Sequence, residues 1–270
     1  MAAFQSYATN VRVMLSGDPE ALAFDEFTLK LGNGDIETVS GTDLVSIPEE
    51  MCMEITPNSQ ARPNGEKESM KKLADFVYPE LKLNLQTKGW MKGRAILAPT
   101  NNQVNQINDI LADMLPGDPV VLLSSDDLIN PNDFQRYNTE YLNTLSPNGL
   151  PHHRIFLKTG MPLMLMRNLN PKMGLCNGTR LIFNRVLKNH LLDCTIVGSA
   201  HEGRKVLIPR ITLKPKDREF PFEWCRRQFP VRVSFAMTIN KYQGQTLQNV
   251  GVWLSDTCFG HGQLYVATIS

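Results

Sequence analysis

The sequence predicts an α/β protein in which the strands of a parallel sheet are separated by a run of short β-strands. Residues 94–115 have the pattern of a buried strand followed by a helix, which is the repeating unit of a parallel sheet. Two further apolar runs, 233–237 and 249–254, have the length and composition of buried strands. Between the strand-helix unit 94–115 and the run 233–237, residues 141–229 are divided by Gly, Pro and Asn into short strands at the spacing of a small β-barrel.

Charge is distributed unevenly along the chain. The 270 residues have a formal net charge of +1, and their 42% hydrophobic content allows one large or two modest domains with a real core. Residues 1–60 contain two basic and ten acidic side chains, whereas residues 201–232 contain nine basic and four acidic ones. This asymmetry indicates a polyanion-binding site in the second half.

Cysteine and histidine usage argues against metal and disulfide frameworks. The five cysteines are scattered, and no Cys-x-x-Cys occurs. The pair His152 and His153 has no Cys, Asp or Glu at ligand spacing, so we expect no metal site. No signal peptide or membrane-spanning run is visible, and we therefore expect a soluble protein of a reducing compartment with no membrane partner.

The first predicted helix follows Asp18 and ends before residues 32–34, which are Gly-Asn-Gly. Within it, Asp25 and Glu26 follow an apolar run, as the magnesium-binding carboxylates of a Walker B strand would. The helical spacing of the apolar residues instead predicts that both carboxylates lie on a helix surface. Residues 35–68 predict a long exposed loop, and residues 69–78 a short helix.

The strand-to-helix unit carries two polar residues at its turn, Thr100 and Asn101. The helix after them, from about 102 to 115, has an inner face of Val104, Ile107, Leu111 and Met114. Residues 120–123 then predict the next strand. Capping of this helix is one explanation of the polar turn, and contact with a ligand is the other.

Hydrogen-bond donors are concentrated in the stretch 233–247. Its apolar run ends in a group of polar residues with one glycine, and Gly244 allows close approach of the backbone to a ligand. In open α/β sheets, ligands bind at the carboxyl ends of the strands. The stretch therefore predicts a binding loop formed by Thr238, Asn240, Lys241, Gln243 and Gly244.

This stretch resembles motif V of the Pif1-like helicases, in particular the helicase part of Helitron rolling-circle transposons. It departs from that pattern at Tyr242, where the family carries Ser or Ala. Residues 94–101, 145–152 and 166–181 also resemble the family. The resemblance implies a RecA-like (P-loop NTPase-type) second motor domain with an inserted SH3-like β-barrel. It implies domain boundaries at 1–140, 141–229 and 230–270.

By the same resemblance, the chain is the C-terminal portion of an ATP-dependent 5′-to-3′ DNA helicase. Such an enzyme is nuclear and acts on single-stranded DNA in replication, repair or recombination. The family assigns Arg12 a catalytic role at the terminal phosphate of ATP, and Gln243 with Gly244 to the nucleotide side. It assigns the DNA side to Thr100, Asn101, Thr238, Asn240 and Lys241.

The sequence contains no Gly-x-x-x-x-Gly-Lys-Ser/Thr motif and no credible Walker B strand end. ATP and Mg²⁺ would be held mainly by a first motor domain that the chain lacks, so we expect no ATP hydrolysis by the chain alone. The family's last helix ends in Ser-Arg, whereas here the sequence reads Ala267-Thr-Ile-Ser270. Either one residue is inserted before the family's Arg, or Ser270 replaces that Arg, and we expect the motif to be truncated in this sequence. The alternative is a non-catalytic single-stranded-DNA-binding module or a decayed transposon remnant.

The basic run 204–232 is interleaved with aromatic residues, and two interpretations stay open. Cations and aromatic rings together can clamp phosphates and stack bases. The same rings could instead belong to the core beneath a solvated basic face. The aromatic residues concerned are Phe220, Phe222, Trp224 and Phe229.

Overall fold

The structure is a computed structural model that describes residues 19–36, 45, 52–53, 65–85, 87, 89–188, 190–215, 220–242 and 249–254. The helices are α1 (Pro19–Asn33), α2 (Gly65–Val77), α3 (Leu81–Asn84), α4 (Asn101–Met114), α5 (Thr139–Thr144) and α6 (Ile239–Tyr242). The first seven strands are β1 (Arg94–Ala98), β2 (Val120–Leu123), β3 (Ser125–Leu128), β4 (Arg154–Leu157), β5 (Pro162–Leu165), β6 (Arg180–Leu187) and β7 (Leu191–Val197). The remaining six are β8 (Lys205–Pro209), β9 (Ile211–Leu213), β10 (Trp224–Gln228), β11 (Val231–Val233), β12 (Ala236–Thr238) and β13 (Asn249–Val252).

The chain divides into two compact units. Unit 1 comprises Met1–Met114 and Phe235–Ser270, and unit 2 comprises Leu115–Ser234. Unit 2 thus begins before the sequence-predicted boundary at residue 141. No helix in the described parts of the chain is both long and apolar enough to cross a membrane.

Unit 1 contains a parallel three-stranded sheet in the order β12-β1-β13. Its centre, β1, is almost completely buried, which is why the sequence there is a continuous apolar run rather than an alternating one. Helices α2 and α4 both pack on this sheet. The prediction of an α/β fold with a parallel sheet is confirmed.

Close packing in unit 1 depends on Gly251 of β13. A Cβ atom added there would lie 2.7 Å from a methyl of Leu73 and 2.7 Å from a methyl of Val77, both on α2. The missing side chain therefore allows the helix to lie directly on the strand. Tyr78, just after α2, is completely buried and donates its hydroxyl hydrogen to the carbonyl of Phe235 at 2.7 Å.

The structure has a helix, α1, where a Walker B strand would place Asp25 and Glu26 at its end. Both residues lie within the helix Pro19–Asn33, as the apolar spacing predicted. The Glu26 carboxylate is exposed and pairs with Lys30 one turn later, at 2.7 Å. This pair lowers the pKa of Glu26, first through the hydrogen bond from Lys30 and then through its charge.

Unit 2 is built from antiparallel strands. Five of them form one sheet in the order β11-β5-β6-β7-β8, three form β3-β10-β9, and two form β2-β4. Among the described residues no pairing joins β8 back to β11, so this sheet has two open edges and the expected SH3-like closure is not established. The predicted strand 120–123 exists as β2, but its partner is the antiparallel β4 of unit 2.

The structure of unit 2 shows whether the aromatic residues of the basic run 204–232 lie in the core or on the surface. Phe222, Trp224 and Phe229 are buried, and the partly buried ring of Phe220 packs against the hydrophobic cluster that contains Phe222 and Trp224. These aromatic side chains form core rather than a base-stacking surface. The hydrophobic cluster also contains Leu128, Leu142, Leu150 and Leu213.

Arg226, from the same run, is also completely buried. Its guanidinium binds the Asp126 carboxylate, with Nη2 2.6 Å from Oδ2. It also donates to the carbonyls of Leu142, Leu145 and Pro151 at 3.0–3.1 Å. One side chain thereby joins β10 to three other segments, namely β3, the end of α5 and the segment at Pro151, because a planar guanidinium presents several donors.

The loop 174–178 is turn structure. Gly174 and Gly178 have φ angles of 76° and 88°, a left-handed conformation that other residues rarely adopt. The Thr179 hydroxyl donates to the carbonyl of Gly174 at 2.8 Å and accepts from the amide of Cys176 at 3.1 Å.

Candidate functional site

Two polar segments meet at one edge of the parallel sheet in unit 1. Ala98, the last residue of β1, is paired with Thr238, the last residue of β12. Because the two strands are parallel, the residues after each strand leave the sheet at the same edge. Thr100 and Asn101 therefore lie at the edge that also carries Thr238 and the residues after it. We call this edge, defined by Thr100, Asn101, Thr238, Asn240 and Lys241, the polar edge.

Thr100 caps helix α4. Its Oγ1 accepts from the amide of Gln103 at 3.3 Å, and its own amide donates to Gln103 Oε1 at 3.4 Å. This reciprocal pair is a capping box. The capping alternative is thus correct for Thr100, although a hydroxyl that accepts one bond can still donate another. Asn101 is the first residue of the helix and is exposed.

The segment after β12 begins as one helical turn, α6, where the sequence predicted a loop. Asn240 and Lys241 are exposed on this turn, and Thr238 is half-buried at the end of the strand. The polar edge thus presents amide, hydroxyl and ammonium groups. Gln243, Gly244 and Arg12 lie outside the described residues, so their predicted roles stay predictions.

A residue that sequence reasoning missed holds the edge strand in place. Asn108, buried on the inner face of α4, accepts from the amide of Ala236 at 2.9 Å and donates to the carbonyl of the same residue at 3.3 Å. Its side-chain amide therefore takes the position that a further strand would occupy beside β12. The available signal was an Asn within the apolar face formed by Val104, Ile107 and Leu111.

The chemistry of the polar edge suits phosphate oxygens and does not suit Mg²⁺. Its side chains donate hydrogen bonds, and none of them is a carboxylate, the ligand that Mg²⁺ prefers. Within the parts of the chain that the structure describes, no group of three His, Cys, Asp or Glu side chains could hold a metal ion. The edge can bind a nucleic acid backbone or a nucleotide phosphate, but it offers no resident metal site.

Parts of the chain are similar in sequence to known proteins. Residues 140–186 match the family described as DNA helicase Pif1, 2B domain. The chain is related to the Pif1 DNA helicases. It is 30% identical to the human ATP-dependent DNA helicase PIF1 over 140 residues, which are 48% of this chain and 20% of that protein. It is 38% identical to the ATP-dependent DNA helicase PIF6 of Trypanosoma brucei brucei over 65 residues, 24% of this chain and 8% of that protein.

The solved structure of the Pif1 helicase from Candida albicans has a similar fold. The TM-score is 0.50 at 18% sequence identity, and the match covers 90% of this chain and 66% of the Candida chain. At that identity the likeness concerns the fold alone. The chain matches at most a fifth of the length of either curated Pif1 relative. Relatedness to Pif1 therefore applies to a part of these helicases.

Proposed function

We propose that the chain is the C-terminal portion of an ATP-dependent 5′-to-3′ DNA helicase of the Pif1 family, of the Helitron type. Unit 1 supplies the second RecA-like motor domain, and unit 2 corresponds to its inserted β-subdomain. The observation that carries this proposal is the pairing of Ala98 with Thr238, which gathers the polar residues of two distant segments at one sheet edge. The relationship to the Pif1 DNA helicases supports the proposed activity.

In this proposal the polar edge contacts the backbone of single-stranded DNA. Lys241 supplies a positive charge to one phosphate, while Thr238 and Asn240 supply neutral donors. Contacts of this kind position a strand without reading its sequence. Binding is therefore independent of sequence and weakened by salt, since each neutralised phosphate releases counterions.

The proposed nucleotide site includes residues that the structure does not describe. We propose that Arg12 reaches the terminal phosphate of ATP and that Gln243 and Gly244 lie on the nucleotide side. ATP and Mg²⁺ are held mainly by a first motor domain, and when bound they supply the energy for movement along DNA. The sequence contains no Walker A motif, so the isolated chain hydrolyses no ATP. We place the complete enzyme in the nucleus.

The missing Walker A motif also favours a second candidate function. A chain that binds single-stranded DNA without hydrolysing ATP would be a non-catalytic module or a transposon remnant. Fusion of a Pif1-type first domain upstream, with the family's terminal Ser-Arg restored after the last helix, separates the two. The helicase proposal expects DNA-stimulated ATPase activity in the fusion, with Arg12→Ala lowering kcat by about 10³-fold, as loss of an arginine finger does. Absence of any ATPase activity in a folded fusion would favour the non-catalytic module.

The DNA contact itself is tested with the 270-residue chain and a labelled oligothymidylate over a series of salt concentrations. Lys241→Ala should flatten the log–log salt dependence of binding by about 0.7, which corresponds to one phosphate contact on a single strand. Lys82→Ala is the matched control, because Lys82 is exposed on α3 in the same unit. Equal slopes for both variants and the parent chain would remove Lys241 from the DNA path.

A further inference from the structure

Strands β2 and β3 of unit 2 form one nearly continuous strand with a strictly alternating pattern of exposure. From residue 121 to residue 128 the odd-numbered residues are exposed, and the even-numbered ones are buried apart from the partly buried Ser124. One side therefore faces the core, as Leu122 and Asp126 do. The other side carries Val121, Leu123 and Ser125 outward.

The neighbouring strands lie on opposite edges of this strand. The amide of Ser124 donates to the carbonyl of His153, which precedes β4, and the amide of Ile129 donates to the carbonyl of Glu223, which precedes β10. Successive amides along a strand point to alternating edges, and Ser124 and Ile129 are an odd number of positions apart. Strands β4 and β10 therefore flank it, and β9 extends the surface beyond β10.

The outward residues of these strands mix cations with large apolar groups. Leu123 is paired with Arg154, and Val121 with Phe156, across β2 and β4. Val121 is 46% exposed, Leu123 48% and Phe156 48%, values that are high for side chains of this size. Across β3 and β10, Ser125 is paired with the exposed Arg227. We call this surface the outer face, defined by Val121, Leu123, Ser125, Arg154, Phe156, Lys214 and Arg227.

Further positive charge lies beside these residues. The pKa of Arg210 is lowered by burial and then by the positive charge of Arg227, so the two guanidinium groups are close. Lys214 is exposed just after β9, and it opposes the rise that burial and the charge of Asp127 produce in the pKa of Cys225. Asp127 is the one acidic side chain among the outward residues 121–127.

The charge of the whole unit has the same sign. Unit 2 contains 17 Lys and Arg against 10 Asp and Glu, a formal net charge of +7 within a chain of net charge +1. Phosphates are attracted to such a unit, and exposed rings and aliphatic groups between cations suit unstacked bases. A double helix hides its bases, and it would leave the apolar groups of the outer face in water.

We propose that the outer face of unit 2 is a binding surface for single-stranded nucleic acid, separate from the polar edge of unit 1. Arg154, Arg227 and Lys214 neutralise phosphates, and Phe156 stacks on a base. The nucleic acid lies along roughly 20 Å of the sheet, which is the length of six β-strand residues at about 3.3 Å each. The proposal shares with the proposed function only the class of ligand, so each surface can be tested without the other.

The test uses the complete chain and a fluorescent oligothymidylate of about 20 nucleotides, longer than the 4–16 nucleotides that one OB fold occupies. Arg154→Gln with Arg227→Gln should flatten the log–log salt dependence by about 1.4, the value for two phosphates. Arg154→Lys with Arg227→Lys keeps both charges and should retain most of the slope. The control pair, Arg204→Gln with Lys205→Gln, removes the same charge from exposed positions at β8 and should leave the slope unchanged.

Phe156→Ala tests stacking without changing charge. It should weaken binding of the oligothymidylate by about 5- to 160-fold, the range for losing one base–aromatic stack, and leave the salt slope and the affinity for blunt duplex DNA unchanged. Phe156 is exposed, so the melting temperature should stay close to that of the parent chain.

Three outcomes would overturn the proposal. The first is an equal effect of the outer-face pair and the control pair, which would show attraction to charge alone. The second is unchanged binding by Phe156→Ala. The third is a parent chain that proves dimeric and becomes monomeric in Phe156→Ala with no change in DNA binding, which would make the outer face a contact between two copies. If Lys241→Ala has no effect while the outer-face variants do, the polar edge fails and the outer face stands.

Discussion

Asn108 gives the sharpest test of how the polar edge is held. Its side chain is 5% exposed, and Ala236, whose amide and carbonyl it binds, is 1% exposed. In Asn108→Ala both backbone groups lose this partner in a buried place. Each unsatisfied group costs about 1–3 kcal/mol, so we expect unit 1 to be destabilised by about 3 kcal/mol after partial relaxation.

The measurement is thermal unfolding combined with hydrogen exchange at the Ala236 amide. At about 2–4 °C per kcal/mol, the melting transition of unit 1 should fall by about 6–12 °C. Exchange at Ala236 should accelerate more than exchange in β13, because β12 loses its outer partner while β1 still pairs with both strands. Affinity for single-stranded DNA should fall too, since Thr238 and Asn240 follow from this strand.

Two variants control the interpretation. Asn102→Ala removes the same amide from an exposed position of the same helix and should change the melting temperature little. Asn108→Asp keeps an acceptor for the Ala236 amide but places a carboxylate beside the Ala236 carbonyl, and it should be destabilising at neutral pH. If Asn108→Ala and Asn102→Ala melt together, and Ala236 exchanges at the parent rate, the side-chain clamp does not hold β12.

Two further predictions concern the packing of each unit. In Arg226→Met the buried Asp126 carboxylate and three backbone carbonyls lose their donor, so unit 2 should lose about 3–5 kcal/mol of stability in a denaturant titration. The control Arg227→Met, at an exposed position of the same strand, should change the midpoint little, and similar midpoints for the two variants would contradict the role of this ion pair. In Gly251→Ala the new methyl would lie 2.7 Å from Leu73 and Val77, so unit 1 should lose about 1–3 kcal/mol. Gly251→Ala should cost less stability when it is made in Leu73→Ala than when it is made in the parent chain, because the truncated residue 73 leaves room for the new methyl. Equal costs in the two backgrounds would place the strain elsewhere.

Local elements were predictable because their signals are local. The apolar spacing of Val104, Ile107 and Leu111 predicted α4 to within a residue at each end, and the same reasoning kept Glu26 on a helix. The continuous apolar run at β1 predicted a strand buried on both faces. The side chains of the polar edge were named from the stretch that contains them, since donors after an apolar strand are visible in the sequence.

Strand partners were not predictable in this way. The run 120–123 is compatible with a strand of either unit, and its antiparallel pairing with β4 assigns it to unit 2. The aromatic residues of the basic run could lie in the core or on the surface, and the register that turns Trp224 and Arg226 inward settled the matter. A register shift of one residue would have placed these side chains on the opposite face of the sheet.

The sequence by itself determined the α/β class, the helix and strand segments and the resemblance to Pif1 helicases, because each depends on residues close together in the chain. Tertiary structure alone decided the contacts of Asn108 with Ala236, 128 residues apart, and of Arg226 with Asp126, 100 residues apart. Tertiary structure also formed the outer face, because Phe156 on β4 and Arg227 on β10 lie on one surface through the pairing of their strands with β2 and β3. Such pairs form when the free energy gained by burying many residues outweighs the entropy lost in closing long loops. This free-energy difference depends on the whole chain, so it cannot be predicted from a short segment.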